Sequence, residues 1–337
     1  MSSVPWISGW KYRRPITIDN TKNTNNLTNY QVLITVDTAS IISAGKMRSD
    51  GGDIRFTDSD GGTLLNYWIE SGINTSYTKI WVKIPSIPAS STKTIYLYYG
   101  NPSATSQSNG DNTFDFFDDF LGTSLDTTKW TVVISTGGSI TISNSILTIA
   151  VVSDGTNWKA YGIKSNISLP VLHEVIAKVK WTYASEHESY ILDKYTDESN
   201  WQGMGYTGYY DAYHLRAVIS GTTYDTGYTL SNDNPANYEW WKIRFDGSYE
   251  TVFRSTDGVS WTQLVSRNTN IFTSGFNAGI RDAVKGTSTS YFYIDYIFAK
   301  KYTYPEPIPS IKSEEINLST FWRQEGIDFT ESKFKPS

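Results

Sequence analysis

Acidic residues suited to proton transfer are concentrated between residues 186 and 198. Glu186 and Glu188 are separated by one residue, so on a β-strand their side chains share a face and lie about 7 Å apart. Two carboxylates near that separation can perform retaining or inverting glycoside hydrolysis. Further acids of the group are Asp193, Asp197 and Glu198. Solvated charges on a loop and an edge strand explain the group more simply, so hydrolysis is the weaker interpretation.

A second group combines aromatic rings with glycines between residues 201 and 213. Flat rings stack on pyranose faces, and polar side chains between them hydrogen-bond sugar hydroxyls. The sequence therefore suggests a glycan platform formed by Trp201, Gln202, Tyr206, Tyr209, Tyr210, Asp211 and Tyr213. In the alternative, which we prefer from sequence, alternate rings fill the interior of a sandwich and the others line a subunit contact.

The histidines do not form a zinc motif. His173, His187 and His214 are far apart in the chain, and no H-E-x-x-H pattern is present. They are more simply explained as surface or packing residues.

Length and composition indicate two all-β domains. The chain has 337 residues, with 24 Tyr and 12 Trp among many Ser, Thr and β-branched residues. Cysteine is absent, so disulfides and thiolate metal sites are excluded. The net charge of -5 argues against nucleic acid as a main partner.

No segment has the pattern of a membrane span or of a secretory signal. No run of about 18 apolar residues occurs, and no basic region followed by an apolar stretch opens the chain. Sequons for N-glycosylation are present at Asn26, Asn74, Asn166 and Asn317. Such triplets arise often by chance in a chain rich in Asn, Ser and Thr.

The elements that must position these residues are mostly short strands. In residues 10–19 the side chains of Tyr12, Ile16 and Ile18 fall on one face of a predicted strand. Further strands follow at short intervals, separated by Gly, Asn, Asp or Pro turns. Only residues 39–46 have a helical pattern, about two turns long.

Four ordered blocks of this region resemble a domain-of-unknown-function family found in large archaeal and bacterial surface proteins. The blocks are Trp10-x-Tyr12-Arg13-Arg14-x-Ile16-Thr17-Ile18, Asp53-Ile54-Arg55-Phe56-Thr57-Asp58, Lys79-Ile80-Trp81-Val82-Lys83-Ile84-Pro85 and Thr94-Ile95-Tyr96-Leu97-Tyr98-Tyr99-Gly100-Asn101-Pro102. The resemblance implies a small β-sandwich and assigns no chemistry. We place a lead-in at residues 1–9, this domain at 10–104 and a Ser/Asn/Gly-rich linker at 105–113.

Residues 114–304 are similar to the concanavalin A-like lectin and glucanase superfamily. The similarity rests on Phe116-Phe117-Asp118-Asp119-Phe120, on Leu125-Asp126 with Lys129-Trp130, and on Tyr291-Phe292-Tyr293-Ile294-Asp295-Tyr296-Ile297-Phe298. It implies a second, jelly-roll-like sandwich that binds or cuts polysaccharide. Cutting members carry E-x-D-x-x-E or E-x-D-x-E on one strand, and neither pattern occurs here. We therefore predict that the protein is not an enzyme.

The same similarity implies one structural calcium ion. Domains of this class often hold calcium with an aspartate of the last strand and oxygens near the start of the domain. The corresponding residues are Asp118, Asp119 and Asp295, and carboxylate oxygens suit calcium. In the alternative, Asp118 and Asp119 accept hydrogen bonds from turn amides.

Residues 305–337 have the pattern of a Pro-rich arm ending in a docking tail. Pro305, Pro307 and Pro309 favour an extended exit from the second domain. A helical turn capped at Ser319-Thr320 would follow, stopping at Gly326. The apolar residues expected to contact a neighbouring subunit are Phe321, Trp322, Ile327 and Phe329. Folding back onto its own domain, or disorder, is the alternative.

Taken together, these features predict a non-enzymatic structural or attachment protein on a virion or cell surface. It would contact other copies of itself or other surface proteins, and in some settings glycans, but not nucleic acid. An archaeal virus spike, turret or tail-fibre subunit has these traits. The alternatives are a free-standing carbohydrate-binding module of a secreted or cell-surface protein and, third, a divergent glycoside hydrolase.

Overall fold

The chain folds into two compact units. The computed structural model describes residues 4–182, 186–229, 237–268, 272 and 274–318. The first unit comprises Met1–Thr113 and Pro305–Ser337, and the second comprises Phe114–Tyr304. The second unit is therefore inserted in the chain of the first. The first unit thus includes residues 105–113, which we predicted to be a linker, and residues 305–337, which we predicted to be an arm and tail.

The first unit is a small β-sandwich. Before the insertion its elements are β1 (Tyr12–Asp19), β2 (Leu27–Val36), α1 (Thr38–Ser43), β3 (Arg55–Thr57), β4 (Leu64–Leu65), β5 (Tyr67–Ser71), β6 (Thr78–Ile87), β7 (Thr92–Tyr99) and α2 (Gly110–Thr113). One sheet contains β1-β7-β3-β4 and the other β2-β6-β5. Ile16 and Ile18 of β1 are fully buried between the sheets, together with Ile34 of β2 and Ile80 of β6.

Helix α1 is shorter than the sequence pattern predicts. Asp37 caps its first turn, and one carboxylate oxygen accepts a hydrogen bond from the Ser40 backbone N–H at 3.0 Å. The helix ends at Ser43, because Gly45 has a φ of 68° and turns the chain away. In the described part of the chain, no helix has both the length and the apolar character needed to cross a bilayer.

The second unit is a larger antiparallel β-sandwich. Its strands are β8 (Phe116–Asp118), β9 (Trp130–Ser135), β10 (Gly138–Ser143), β11 (Ile146–Val152), β12 (Lys159–Ser165), β13 (His173–Trp181), β14 (His187–Asp197), β15 (Asn200–Thr207), β16 (Ala212–Ile219), β17 (Thr222–Thr229), β18 (Glu239–Phe245), β19 (Tyr249–Ser255), β20 (Thr262–Asn268), β21 (Gly279–Val284) and β22 (Thr289–Lys301). We call β17-β16-β15-β14-β21-β12-β9 the front sheet. The back sheet is β10-β11-β22-β13-β18-β19-β20, with β8 also paired to β22. The prediction of an all-β, jelly-roll-like fold is confirmed.

Aromatic side chains fill the space between the front and back sheets. Trp181 of the back sheet packs on Tyr206 of the front sheet, with ring centroids 5.0 Å apart, and on Trp241 at 4.9 Å. The Tyr213 hydroxyl donates a hydrogen bond to Glu239 at 2.6 Å, which satisfies its polar end inside the core. These contacts fix the inward face of the front sheet. The other face of that sheet points out of the sandwich.

After the second unit the chain returns to the first sandwich. It forms β23 (Ile308–Ile311) and β24 (Glu315–Ile316), and both pair antiparallel with β1. Residues 305–316 are therefore edge strands of the first unit and not a detached arm. The prolines mislead because Pro309, opposite Ile18, occupies an edge strand, where a missing N–H is tolerated. The predicted docking residues Phe321, Trp322, Ile327 and Phe329 lie outside the described residues.

A buried carboxyl group lies between the sheets of the second unit. Asp282 of β21 is fully buried and accepts hydrogen bonds from Ser189 Oγ at 2.6 Å and Ser290 Oγ at 2.5 Å. Burial raises the pKa of Asp282 to about 7, although the two serine hydroxyls oppose that change.

We expect Asp282→Asn to remove a pH-dependent part of the stability. The native pKa is above the unfolded value of about 3.9, so the folded protein binds more protons between these pH values, and this group's contribution to stability falls as the pH rises. The free energy of unfolding of the variant, relative to the wild type, should therefore increase by ~3 kcal/mol between pH 5 and pH 8. Urea denaturation at several pH values measures this increase. A difference in free energy of unfolding between variant and wild type that does not change with pH would contradict the prediction.

Candidate ligand-binding cleft

The outer face of the front sheet carries a cleft of about 480 Å³. Side chains alternate along β14, β15 and β16, so those adjacent to buried core residues point outward. Residues lining the cleft are Trp158, Glu188, Glu198, Trp201, Arg216, Val218, Gly221, Thr223 and Arg281. Trp158 lies just before β12 and is 43% exposed, so its ring is open to solvent.

Two glycines of β15 shape the packing beside the cleft residue Trp201. A side chain at Gly205 would begin 2.2 Å from the Tyr190 ring, and one at Gly203 would begin 2.6 Å from the Leu192 side chain. The absence of side chains at both positions lets Tyr190 and Leu192 of β14 lie across β15. Trp201 packs beside them, with its ring centroid 5.3 Å from that of Tyr190. The packing beside Trp201 is therefore aromatic and almost fully buried.

Arg216, which lines the cleft, joins two carboxylates. Its Nη1 donates to both oxygens of Glu188, at 2.6 and 2.7 Å. Its Nε and Nη2 donate to the two oxygens of Asp225 at 2.7 and 2.9 Å. Burial alone would raise the pKa of Asp225, but His214 and Arg216 hold it well below its usual range. Both oxygens of Glu188 are therefore occupied by a guanidinium.

Buried polar atoms without hydrogen-bond partners lie in Arg281, which lines the cleft, and in Tyr190, which packs against the cleft residue Trp201. Arg281 lies 3.9 Å from Glu188 and 4.0 Å from Glu198, and its guanidinium is 5.1 Å from the Trp201 ring centroid. The Nε and Nη1 atoms of Arg281 and the Tyr190 hydroxyl are buried. None of the three makes a hydrogen bond within the described part of the protein. Burial raises the pKa of Tyr190, so it stays a neutral hydroxyl. Buried polar groups of this kind normally bind water or a ligand.

The predicted glycan platform is divided between the two sides of the front sheet. Trp201 points into the cleft, but Gln202 points into the interior and is fully buried. Tyr206 and Tyr213 are also fully buried, because they share the inward face of their strands with Met204 and Leu215. These three side chains cannot contact a ligand, which corrects the platform predicted from sequence.

The turn after β15 holds the rest of the predicted platform. Tyr209 and Tyr210 are 62% and 61% exposed, with ring centroids 4.6 Å apart. Asp211 accepts a hydrogen bond from the Tyr206 hydroxyl at 2.5 Å, so it anchors the turn to the core. The Tyr210 ring lies 6.0 Å from the ring of His214, which is on the outer face of β16.

The acidic group of residues 186–198 does not form one constellation. Glu188 and Glu198 line the cleft, whereas Glu186 lies 3.8 Å from the Lys285 ammonium. Asp193 is fully buried, 3.3 Å from His173 Nε2. Asp197 accepts a hydrogen bond from the Ser199 backbone N–H in the turn between β14 and β15. Glu188 and Glu198 are therefore the acids of this group that a cleft ligand would meet.

The predicted calcium ligands Asp118 and Asp295 lie on the paired strands β8 and β22, and each makes other contacts. Asp118 accepts hydrogen bonds from the Phe120 backbone N–H at 2.8 Å and the Trp130 indole at 2.6 Å. Asp295 accepts one from the Lys178 ammonium at 2.5 Å, on the outer face of the back sheet. Among the described residues, no cluster of three acidic, His or Cys side chains has the geometry of a metal site. The calcium ion, with Asp119 as a third ligand, stays a prediction.

Sequence reasoning missed Trp158, Arg216 and Arg281. Arg216 is adjacent in sequence to Leu215, a core residue, so its outward orientation follows once β16 is recognised as a strand. Its pairing with Glu188 depends on the non-local register of β14, β15 and β16. No local motif signals that contact.

Comparisons with known proteins cover parts of the chain. Residues 50–133 match the family described as "Domain of unknown function (DUF2341)". Similar solved structures include a β-1,3-glucanase from Mycobacterium marinum, which has 14% identity and a TM-score of 0.44 over 56% of this chain and 99% of that chain. An endo-β-1,3-glucanase from Pyrococcus furiosus has 15% identity and a TM-score of 0.46 over 57% of this chain and 95% of that chain. No curated protein is significantly similar to the chain in sequence.

Identities of 14% and 15% are too low to transfer an activity. The function of the cleft must therefore be argued from its own residues.

Proposed function

We propose that the cleft of the second unit binds a neutral glycan without hydrolysing it. The observation that carries this proposal is the combination of an open Trp158 ring with the guanidinium groups of Arg216 and Arg281 in the lining of one cleft. An exposed indole stacks on the apolar face of a pyranose, and polar side chains that line a cleft hydrogen-bond its hydroxyls. The cleft offers both kinds of contact.

The charges around the cleft favour an uncharged ligand. Arg216 and Arg281 carry two positive charges, and Glu188, Glu198 and Asp225 carry three negative charges within ion-pair distance of them. The arginines therefore present no net positive field to an acidic sugar. Hydroxyl groups, which both donate and accept hydrogen bonds, suit a surface on which charges already compensate one another.

The absence of hydrolysis is proposed from the state of Glu188. Glycoside hydrolysis needs one carboxyl group free to transfer a proton and a second free to attack or activate water. Both oxygens of Glu188 accept a hydrogen bond from Arg216, so the Arg216 contact would have to rearrange before Glu188 could take part in such a step. Glu198, 53% exposed and bonded to the Tyr195 hydroxyl, would be left to act alone.

Trp158→Ala is expected to weaken glycan binding about tenfold without lowering the melting temperature, because an exposed ring contributes stacking and little core packing. Calorimetric titration with a panel of neutral oligosaccharides, including β-1,3- and β-1,4-glucans, measures the affinity. Tyr249→Ala is the matched control, since Tyr249 is 46% exposed and belongs to the back sheet.

Equal affinities for the wild type and Trp158→Ala would remove Trp158 from the site. A panel on which no neutral oligosaccharide binds the wild type would overturn the proposed function as a whole.

We further propose that the chain is a structural or attachment protein exposed on a virion or cell surface, with the tail connecting copies. The aromatic, cysteine-free composition, suited to a robust outer surface, supports this. Removing residues 319–337 leaves β23 and β24 in place and should convert an oligomer of the full chain to a monomer in light scattering. An unchanged oligomer would exclude the tail as the connector.

A further inference from the structure

A second aromatic surface lies on the outer face of the back sheet. We call it the lysine–tyrosine face and define it by Lys178, Lys180, Tyr238, Tyr291 and Tyr293. The two lysines, Tyr291 and Tyr293 point outward, because their neighbours along the strand, such as Val179 and Phe292, are buried in the core. Tyr291 is 39% exposed, and the other four side chains are half-buried. This surface is on the side of the sandwich opposite the cleft.

The two lysines of β13 lie over tyrosine rings from β22 and from the residue just before β18. The Lys180 ammonium is 5.4 Å from the Tyr293 ring centroid and 5.8 Å from that of Tyr238. The Lys178 ammonium is 5.3 Å from the Tyr238 ring. Attraction between ammonium groups and aromatic faces holds long side chains in place, so less conformational entropy is lost when a ligand binds them.

The rings of Tyr291 and Tyr293 form a small stacked array. Tyr291 and Tyr293 are parallel to within 15°, with centroids 6.2 Å apart along β22. Trp240 borders the array and donates its indole hydrogen to the Tyr296 hydroxyl at 2.6 Å, which fixes both rings. A partly exposed row of stacked rings on a strand can extend its stacking to a planar or disc-shaped group that packs on an outer ring face.

The net charge of this face is positive, although that of the whole chain is -5. Asp295 accepts a hydrogen bond from Lys178 at 2.5 Å and compensates that charge. In the part of the chain that the structure describes, Lys180 contacts tyrosine rings and is within ion-pair distance of no carboxylate. Lys180 is therefore the group that a negatively charged ligand would meet.

We propose that the lysine–tyrosine face binds an acidic glycan, with sugar rings stacked on Tyr291 and Tyr293 and a carboxylate or sulfate group bound by Lys180. Stacked rings beside an uncompensated ammonium match a polymer that alternates apolar sugar faces with single negative charges. A nucleic acid has a higher charge density, which suits a strongly basic groove and not a face with one free lysine on an acidic protein.

Calorimetric titration of the full-length protein with two matched pairs of probes tests this proposal. The first pair is hexagalacturonate and its methyl ester, and the second is a short dextran sulfate and dextran. We expect a charged probe to bind at least tenfold more tightly than its uncharged counterpart. Binding of only the first or only the second charged probe would identify a carboxylate or a sulfate as the recognised group.

Point variants locate the site. Lys180→Gln and Tyr291→Ala should each weaken binding at least fivefold while leaving the melting temperature unchanged, because both side chains reach the surface. Lys164→Gln removes a charge from the front sheet, and Trp158→Ala alters the cleft; neither should change the affinity for the acidic probe. This pattern separates the face from the proposed glycan cleft.

Several outcomes would overturn the proposal: no binding of either charged probe, equal binding of charged and uncharged probes, or unchanged affinity in both Lys180→Gln and Tyr291→Ala. Tighter binding of oligothymidylate than of the acidic glycans, lost in the same variants, would reassign the face to single-stranded nucleic acid.

Discussion

Replacing Arg216 with Met is expected to lower the free energy of unfolding of the second unit by about 4 kcal/mol, since it leaves the largely buried Glu188 carboxylate without its hydrogen-bonded cation. The Glu188 side chain is 13% exposed and the Arg216 side chain 14% exposed, so water cannot compensate fully for the lost guanidinium. Asp225, 34% exposed, loses its bidentate partner in the same variant. Urea denaturation at neutral pH measures the loss.

The pH dependence of that loss identifies its cause. His214 and Arg216 together hold the pKa of Asp225 below its usual range, against the effect of burial, so the stabilisation is present above the unfolded pKa of about 3.9 and is lost as the pH falls further. The difference between wild type and Arg216→Met should therefore be largest at neutral pH and shrink below about pH 4.

Two comparison variants make the Arg216 experiment decisive. Arg48→Met breaks an ion pair with Asp50 in which the side chains are 37% and 60% exposed, so it should cost less than about 1 kcal/mol. Adding Glu188→Gln to Arg216→Met removes one unpaired charge and should restore part of the stability. If Arg216→Met lowered the free energy of unfolding no more than Arg48→Met, the proposed stabilisation by the Arg216 hydrogen bonds to Glu188 and Asp225 would be contradicted.

Truncation after Tyr304 is expected to destabilise the first unit by about 5 kcal/mol, because it removes strands that complete the sheet. The buried Arg13 would lose its hydrogen bond to Glu315, and Lys46 and the Tyr99 hydroxyl would lose Glu314. The backbone edge of β1 would also lose its pairing with β23. Hydrogen exchange of the β1 amides should then increase strongly, whereas amides of β13 in the second unit should remain protected.

Truncation after Leu318 is the control for that experiment. It retains every contact just named, so β1 amides should exchange as slowly as in the full chain. Equal protection of β1 in the two truncated proteins would show that β23 and β24 do not stabilise the first unit.

Local sequence patterns predicted the class of fold but not the connectivity. The alternation around Ile16 and Ile18 correctly indicated a half-buried strand, because side-chain period is a local property. The return of residues 308–316 to β1 was not predicted, since prolines at 305, 307 and 309 suggest an exit and strand pairing across some 290 residues leaves no local signal.

The candidate site was predicted only in part. Trp201 and Glu188 were identified by residue type, and both line the cleft. The orientation of Tyr206 and Tyr213 was not resolved, because a run of alternating rings and glycines is compatible with either face being buried. The hydrogen bonds of Arg216 to Glu188 and Asp225 depend on the register of three strand pairings. Composition cannot reveal that register.

A single NMR titration tests the central claim that the cleft binds a neutral glycan without cutting it. The full-length protein would be titrated with each neutral oligosaccharide of the panel, recording protein indole resonances and the anomeric resonances of the sugar over several days. The account predicts saturable shifts of the Trp158 and Trp201 indoles, lost for Trp158 in Trp158→Ala, with no new reducing-end signal. New reducing ends that disappear in Glu188→Gln would show that the cleft is catalytic and would contradict the account.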